Sequence, residues 1–295
     1  MINRRQFSKA VGTVAIGSYL PGWVAKARAD DAPKAGLIAD FERLEKASGG
    51  RLGIAMIDTG SAKRIDYRGE ERFPMCSTFK ALLAAAVLQR VDAGKDQLTR
   101  RVLVNKSDII AHSPVTEKRI GGDGISLAEL CEATVTQSDN AAANLLLTDI
   151  GGPEGFTRFV RSLGDPVTRL DRNEPALNEA RPGDPRDTTT PKAIISNLQT
   201  LVLGAALEPA SREQLGRWLI DNKTGDAQIR AGLPSGWRVG DKTGSDGRGT
   251  SNDIAVIWPP RRAPIVLAVY LTGATVSGTR QKATIAAVAS AIATF

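Results

Sequence analysis

The sequence predicts an α+β fold: a mainly antiparallel sheet flanked by terminal helices, with an all-helical domain inserted into it. Three observations lead there. Strand-like apolar runs lie near both ends of the 295-residue chain, and the stretch between them carries helical runs and helix caps instead. The strands follow one another closely, as hairpins do, whereas parallel neighbours need a crossover of about a dozen residues or more. Pairing the strand-bearing ends gives one sheet from residues 30–70 and 223–295, with residues 71–222 as the helical insert. A chain of this length is ample for two modest domains that share a core.

Residues 1–29 read as a cleavable export signal. Asn3-Arg4-Arg5-Gln6-Phe7-Ser8-Lys9 precedes a mildly apolar stretch, 10–25, broken by Gly12, Gly17, Pro21 and Gly22. That stretch is too short and too interrupted for a spanning helix. Ala27-Arg28-Ala29 supplies a small-x-small cleavage pattern, which puts the mature start near Asp30. Paired arginines ahead of a weak apolar core resemble a twin-arginine signal. The expected destination is the periplasm, with no stable membrane association once the signal is removed.

The mature chain opens with a helix over 40–48, apolar at Phe41 and Leu44 and stopped by Gly49-Gly50. Residues 52–58 and 63–67 flank the turn residues Asp58-Thr59-Gly60-Ser61 and predict a hairpin. Residues 81–88 are continuously apolar, and that helix ends at Asp92-Ala93-Gly94. Ser126-Leu127-Ala128-Glu129 is a capping box that opens another helix. A helix over 141–150 stops at Gly151-Gly152, and a further one covers 153–163. The connection 164–190, with Pro166, Pro175, Pro182 and Pro185, is long enough to suggest a functional loop. Helices resume at 191–203 and 211–222, strands at 237–242, 252–258 and 264–272, and a helix over 280–295 closes the chain.

Composition removes several chemistries. Five of the 39 basic residues, and no acidic one, fall in residues 1–29, which leaves 34 against 32 acidic residues in the rest. Those charges are interspersed and form no basic stripe, so no nucleic-acid partner is expected. The single histidine, His112, and two separated cysteines cannot supply the usual ligands of a catalytic zinc. A Ser-His-Asp triad would have to use His112, so any serine nucleophile here is expected to rely on Lys or a carboxylate. Cys76 and Cys131 lie in apolar helical contexts and are expected to stay unpaired.

Four short motifs carry the chemistry. In Ser77-Thr78-Phe79-Lys80, positions i and i+3 of a helix place Ser77 beside Lys80, whose ammonium an apolar helix would desolvate into a proton acceptor. A capping Ser followed by a snorkelling Lys would look the same. Ser138-Asp139-Asn140 either caps the next helix or relays a proton through Ser138 and holds an amide through Asn140. Lys242-Thr243-Gly244, followed by Ser245, sits at a strand end and either turns there or lets the backbone approach a ligand whose carboxylate Lys242, Thr243 and Ser245 would hold. In the long loop, Glu174 could activate a water that Asn178 helps to hold, or be merely a solvated acid.

In that order along the chain, Ser77-x-x-Lys80, Ser138-Asp139-Asn140, Glu174 in a proline-rich loop and Lys242-Thr243-Gly244 resemble the class A β-lactamases. The resemblance runs from about residue 35 to the end. It implies that Ser77 forms an acyl-enzyme with a β-lactam, with an oxyanion hole made by the backbone N–H groups of Ser77 and Ser245. It further implies that Ser138 and Lys242 protonate the leaving nitrogen, and that Glu174 with Asn178 drives the hydrolytic water. Lys80 and Glu174 both remain candidates for the acylation base. Asn140 would bind the substrate amide, Lys242, Thr243, Gly244 and Ser245 its carboxylate side, and His112 would stand at the cleft mouth or be merely exposed. The resemblance also implies a cis Glu174-Pro175 bond and an Arg172–Asp187 pair at the loop neck; no cofactor is implied, and with no heptads or long apolar edge strands to argue against it a monomer is expected.

Some positions depart from common members. Ala84 stands where a disulfide partner of Cys131 would be, and Asp246 where one of Cys76 would be. Arg280 and Arg248 are the candidates for an extra carboxylate-binding arginine. Penicillin-binding transpeptidases, β-lactam sensors and serine-lysine amidases share parts of these motifs but not the loop carboxylate, so Glu174 separates them from this reading.

Overall fold

The computed structural model describes residues 22–295, with side chains from Lys34 onward. The export-signal reading of residues 1–29 falls outside the described residues up to position 21, and outside the described side chains beyond it. The chain runs through helix α1 (Gly22–Ser48), the hairpin β1 (Arg51–Asp58) and β2 (Arg64–Tyr67), and the short strand β3 (Phe73–Pro74). Helix α2 (Phe79–Asp92), two short strands β4 (Arg101–Val102) and β5 (Ile125–Ser126), and helices α3 (Leu127–Thr136), α4 (Asn140–Ile150) and α5 (Gly152–Ser162) follow. After the long loop, which contains β6 (Thr188–Thr189), come α6 (Pro191–Leu198), α7 (Pro209–Ile220) and the single turn α8 (Ile229–Gly232). Strands β7 (Arg238–Ser245), β8 (Ser251–Trp258) and β9 (Ile265–Thr272) and helix α9 (Gly278–Ala293) complete the chain.

The α+β expectation holds. One five-stranded sheet has the order β2-β1-β9-β8-β7, and every adjacent pair is antiparallel. Pairing of β1 with β9 over eight residues, from Arg51↔Thr272 to Asp58↔Ile265, joins the two ends of the sequence. Both faces of the sheet are covered, which accounts for strands that read as unbroken apolar runs rather than as alternation. Side chains of a strand alternate between faces: Val266, Ala268 and Tyr270 join the core shared with α2–α7, whereas Leu267, Val269 and Leu271 join the core under α1 and α9.

Local signals set several boundaries. Ser126 and Glu129 form the anticipated capping box, each side chain meeting the other's backbone N–H, at 3.2 and 2.9 Å. Gly151 ends α4 in the left-handed conformation, φ 90°. Some boundaries differ from expectation: α1 begins at Gly22 rather than near residue 40. The helix over 191–203 ends as an α-helix at Leu198 and continues to Leu203 as a wider turn. The strand expected to end at Lys242 runs on to Ser245, because residues 243–245 keep pairing with residues 251–253. The loop 164–190 is not structureless: β6 pairs with β3, and residues 176–179 form a 3₁₀ turn. Cys76 and Cys131 are both free and buried, as expected.

Replacing Ser126 with Ala removes one half of the capping box. It should lower stability by about 1 kcal/mol, read as a lower urea midpoint at unchanged m value.

Candidate active site

The predicted nucleophile sits on a turn held from several sides. Cys76 adopts φ 44°, an unusual conformation for a residue with a side chain, followed by a 3₁₀ turn over Cys76–Thr78 that leads into α2. Such a conformation persists when its surroundings over-determine it. Here Asn252 Nδ2 donates to the oxygens of Pro74 and Met75 at 2.9 and 3.2 Å, Thr78 Oγ1 donates to Met75 O at 2.9 Å, and Met75 N donates to Asp187 O at 2.9 Å. Gly244 of β7 packs against this turn: a Cβ there would lie 2.7 Å from Met75 O and 3.1 Å from Ser77 N. Only a residue without a side chain lets the strand come this close.

Lys80 is fully buried one turn further along α2. Its Nζ lies 3.0 Å from Glu174 Oε1 and donates to Asn140 Oδ1 at 2.5 Å, Ser138 O at 2.8 Å and, at 3.4 Å, Ser138 Oγ. Burial pushes this ammonium below the usual lysine range, against the opposing pull of Glu174. The Ser77 hydroxyl donates to Glu174 Oε1 at 3.3 Å, so the same carboxylate oxygen meets both the serine and the lysine. Among the described residues no hydrogen bond links Ser77 Oγ directly to Lys80.

Glu174 is 4% exposed and points inward. Its main chain is held by Asn144 of α4, which accepts from Glu174 N and donates to Glu174 O, both at 2.9 Å. Asn178 Nδ2 donates to Glu174 Oε2 at 2.5 Å. The Glu174-Pro175 bond is cis. At the loop neck, Arg172 Nε meets Asp187 Oδ2 at 2.6 Å, and Asp187 Oδ1 accepts from the N–H groups of Asp171 and Arg172.

The second motif divides its labour. Asp139, not Ser138, caps α4, accepting from Ala142 N at 2.9 Å, and its other oxygen takes the N–H groups of Val115 and Thr116 at 2.9 Å each. That leaves Ser138, with φ 57°, free to point at Lys80 and Lys242. Lys242 Nζ donates to Ser138 Oγ at 3.2 Å. Burial, reinforced by the neighbouring Lys80, brings Lys242 down to about 7. Thr243 Oγ1 lies 2.5 Å from Thr224 Oγ1, which donates to Asn222 Oδ1 at 2.8 Å, and Asn222 in turn donates to the buried Asp241 at 2.6 Å. Ser245 is exposed beside them.

Of the remaining predicted residues, Asn140 spends both ends of its amide on protein, Oδ1 on Lys80 and Nδ2 on Ala111 O at 2.8 Å. His112 is exposed, its Nε2 3.0 Å from Gln137 O. Arg248 turns toward the loop, donating to Glu179 O at 2.9 Å, and Arg280 is exposed on the first turn of α9. Among the described residues no cluster of three or more His, Cys, Asp or Glu could hold a metal, and no helix is long and apolar enough to cross a membrane.

A model of the β-lactamase enzyme family matches residues 36–295. The chain is 48% identical over 300 residues to Beta-lactamase L2 of Stenotrophomonas maltophilia, covering 99% of this chain and 98% of that protein. It is 52% identical over 252 residues to Beta-lactamase Toho-1 of Escherichia coli, covering 85% and 86%. Among solved structures, an ancestral class A β-lactamase is 63% identical with a TM-score of 0.85, over 87% of this chain and 98% of that one. The chain belongs to the class A β-lactamases. A β-lactamase from Xanthomonas campestris is similar as well, at 55% identity and a TM-score of 0.87 over 89% of this chain and 98% of that one. The chain is thus a hydrolase of a family that opens β-lactams, and class A β-lactamases are in general exported proteins.

Sequence reasoning missed several residues of this class A site. Asn144 reads as one more polar position on an alanine-rich helix, and its partner lies 30 residues away. Asn222 reads as the last residue of the helix over 211–222, and Thr224 lies just beyond it. Asp139 was visible as a cap but not as the anchor of residues 115–116. No local pattern marks such pairs.

Gly244→Ala places a methyl where Met75 O and Ser77 N already are. β-Lactam hydrolysis should fall about 100-fold with the far-ultraviolet circular dichroism unchanged.

Proposed function

We propose that this β-lactamase works through an acyl-enzyme on Ser77, deacylated by a water that Glu174 activates, and that it confers resistance to penicillins and cephalosporins. One observation carries the reading: the loop carboxylate points inward, Oε1 3.3 Å from the Ser77 hydroxyl and Oε2 held by Asn178. Ser77 attacks the lactam carbonyl, whose oxygen gathers negative charge between the backbone N–H groups of Ser77 and Ser245. The serine proton goes to Glu174 Oε1 or to the buried Lys80 beside it, which loses its counter-charge and becomes the acceptor when the carboxylate is replaced. Ser138, within reach of both Lys80 and Lys242, delivers a proton to the departing ring nitrogen and is reprotonated through Lys80, which passes on the proton taken from Ser77 and leaves Glu174 a carboxylate for the next step. Lys242, Thr243 and Ser245, on the strand that Gly244 lets approach, hold the substrate carboxylate. Water between Glu174 and Asn178 then attacks the ester; Asn178 Oδ1 has no protein donor among the described residues and serves as an acceptor for it. Asn140, spent on Lys80 and Ala111, positions the lysine at least as much as it contacts the substrate amide, and we read the exposed His112, whose carbonyl accepts from Asn140 N at 2.9 Å, as a residue of the cleft mouth.

We read residues 30–70 with 223–295 as the sheet domain and 71–222 as the helical domain that carries the loop 164–190. The mature protein is a periplasmic monomer delivered by the twin-arginine route, needs no cofactor and binds no nucleic acid.

Purified mature protein should turn over nitrocefin. Glu174→Gln should acylate and stall, with the covalent adduct seen by mass spectrometry; rapid turnover by that variant, or cleavage of a linear acyl-D-Ala-D-Ala peptide in place of nitrocefin, would overturn the reading.

Lys242 gives a pH prediction. Its ammonium titrates near 7, so it is charged below and neutral above. KM for a carboxylate-bearing cephalosporin should therefore rise, by up to about 10-fold, from pH 6 to pH 9. Lys242→Arg, charged throughout this range, should flatten that rise.

A further inference from the structure

Arg248 does not reach for a substrate carboxylate. It stands in the turn between β7 and β8, and its Nη2 crosses to the catalytic loop, donating to Glu179 O at 2.9 Å and to Asn178 O at 3.4 Å. Its base is fixed. Asp246 Oδ1 accepts from the N–H groups of Arg248 and Thr250 at 2.8 and 2.9 Å, and the buried Gln281 of α9 donates to Arg248 O at 2.9 Å. The arm is therefore mounted on two elements of the sheet side, and its far end holds the turn that carries Asn178.

That turn has other anchors, none of which reaches the sheet. Leu177 is buried beneath it, and the Glu179 carboxylate is paired with Arg172 at 2.6 Å and with Arg181. Among the described residues no other side chain of the sheet or its turns hydrogen-bonds the segment 176–179. The two oxygens of Glu174 depend on different supports: Oε1 on Lys80 at 3.0 Å, and Oε2 on Asn178 at 2.5 Å.

We propose that Arg248 is a positioning residue for the hydrolytic step, clamping the carbonyls of Asn178 and Glu179 so that Asn178 stays against Glu174 Oε2. The inference rests on Glu174 being the group that activates water. Acylation draws on Ser77 and on the oxygen that Lys80 already holds, whereas deacylation needs Glu174 and Asn178 to share one water. Loss of the clamp thus falls on the second step.

Stopped-flow and single-turnover kinetics with nitrocefin separate the two steps. Arg248→Ala should acylate within about 2-fold of the parent rate and deacylate about 10-fold more slowly, with acyl-enzyme accumulating in the steady state. Arg248→Lys, still a donor to a carbonyl, should recover most of the lost rate. In an Asn178→Ala background the Arg248→Ala change should have little further effect, since the clamp acts through that side chain. Equal slowing of both steps, no recovery with lysine, or a full effect in the Asn178→Ala background would each overturn the inference. Glu174→Gln is the reference: if it stalls while Arg248→Ala deacylates normally, this inference alone fails; if it turns over, the parent reading fails and this one with it.

Discussion

A fully buried ammonium is the constraint around which this molecule is organised. Lys80 sits on a helix buried at every position from Phe79 to Leu88, where an unpaired charge would cost several kcal/mol, and three separate segments contribute acceptors to it. The long loop brings the Glu174 carboxylate, α4 brings Asn140, and the turn ahead of α4 brings the oxygens of Ser138. Breaking such a buried pair by removing one partner costs about 3–5 kcal/mol. The same contacts that make the lysine tolerable place the serine hydroxyl, the carboxylate and Ser138 within one another's reach.

The second buried cation, Lys242, gives the site its asymmetry. Its field and that of Lys80 oppose each other, and burial lowers both. Ser138 Oγ lies between them, close to two ammoniums that hold their protons less firmly than a surface lysine does. A single hydroxyl between two softened acids suits proton delivery to a leaving nitrogen. Buried carboxyl groups, Asp241, Asp253 and Glu174, pull Lys242 upward against burial and the neighbouring Lys80.

Positioning of the catalytic loop is shared among interactions of different kinds. Its neck is closed by the Arg172–Asp187 pair, its middle is stitched to α4 through Asn144, and its far turn is tied to the sheet through Arg248. The pairing of β3 with β6 adds a short ladder at the exit. A loop of this length would otherwise lose Glu174 to solvent, since its charge is better hydrated than buried.

The sequence alone determined the types of the longer elements, the antiparallel sheet joined from both ends of the chain, the capping box at Ser126 and the motif residues that meet at the site. These are written locally, as periods of two and 3.6, as caps and as spacings within one turn. What the tertiary structure decided is which atom each motif residue faces: that Ser77 Oγ meets Glu174 while Lys80 turns to Asn140 and Ser138, that Asp139 takes the cap and leaves Ser138 free, that Asn144 holds Glu174 and that Arg248 holds the loop. Partners in the last two pairs are separated by 30 and 69 residues. Hydrogen bonds across such separations leave no mark on either local stretch, because they form only where packing has already brought the elements together.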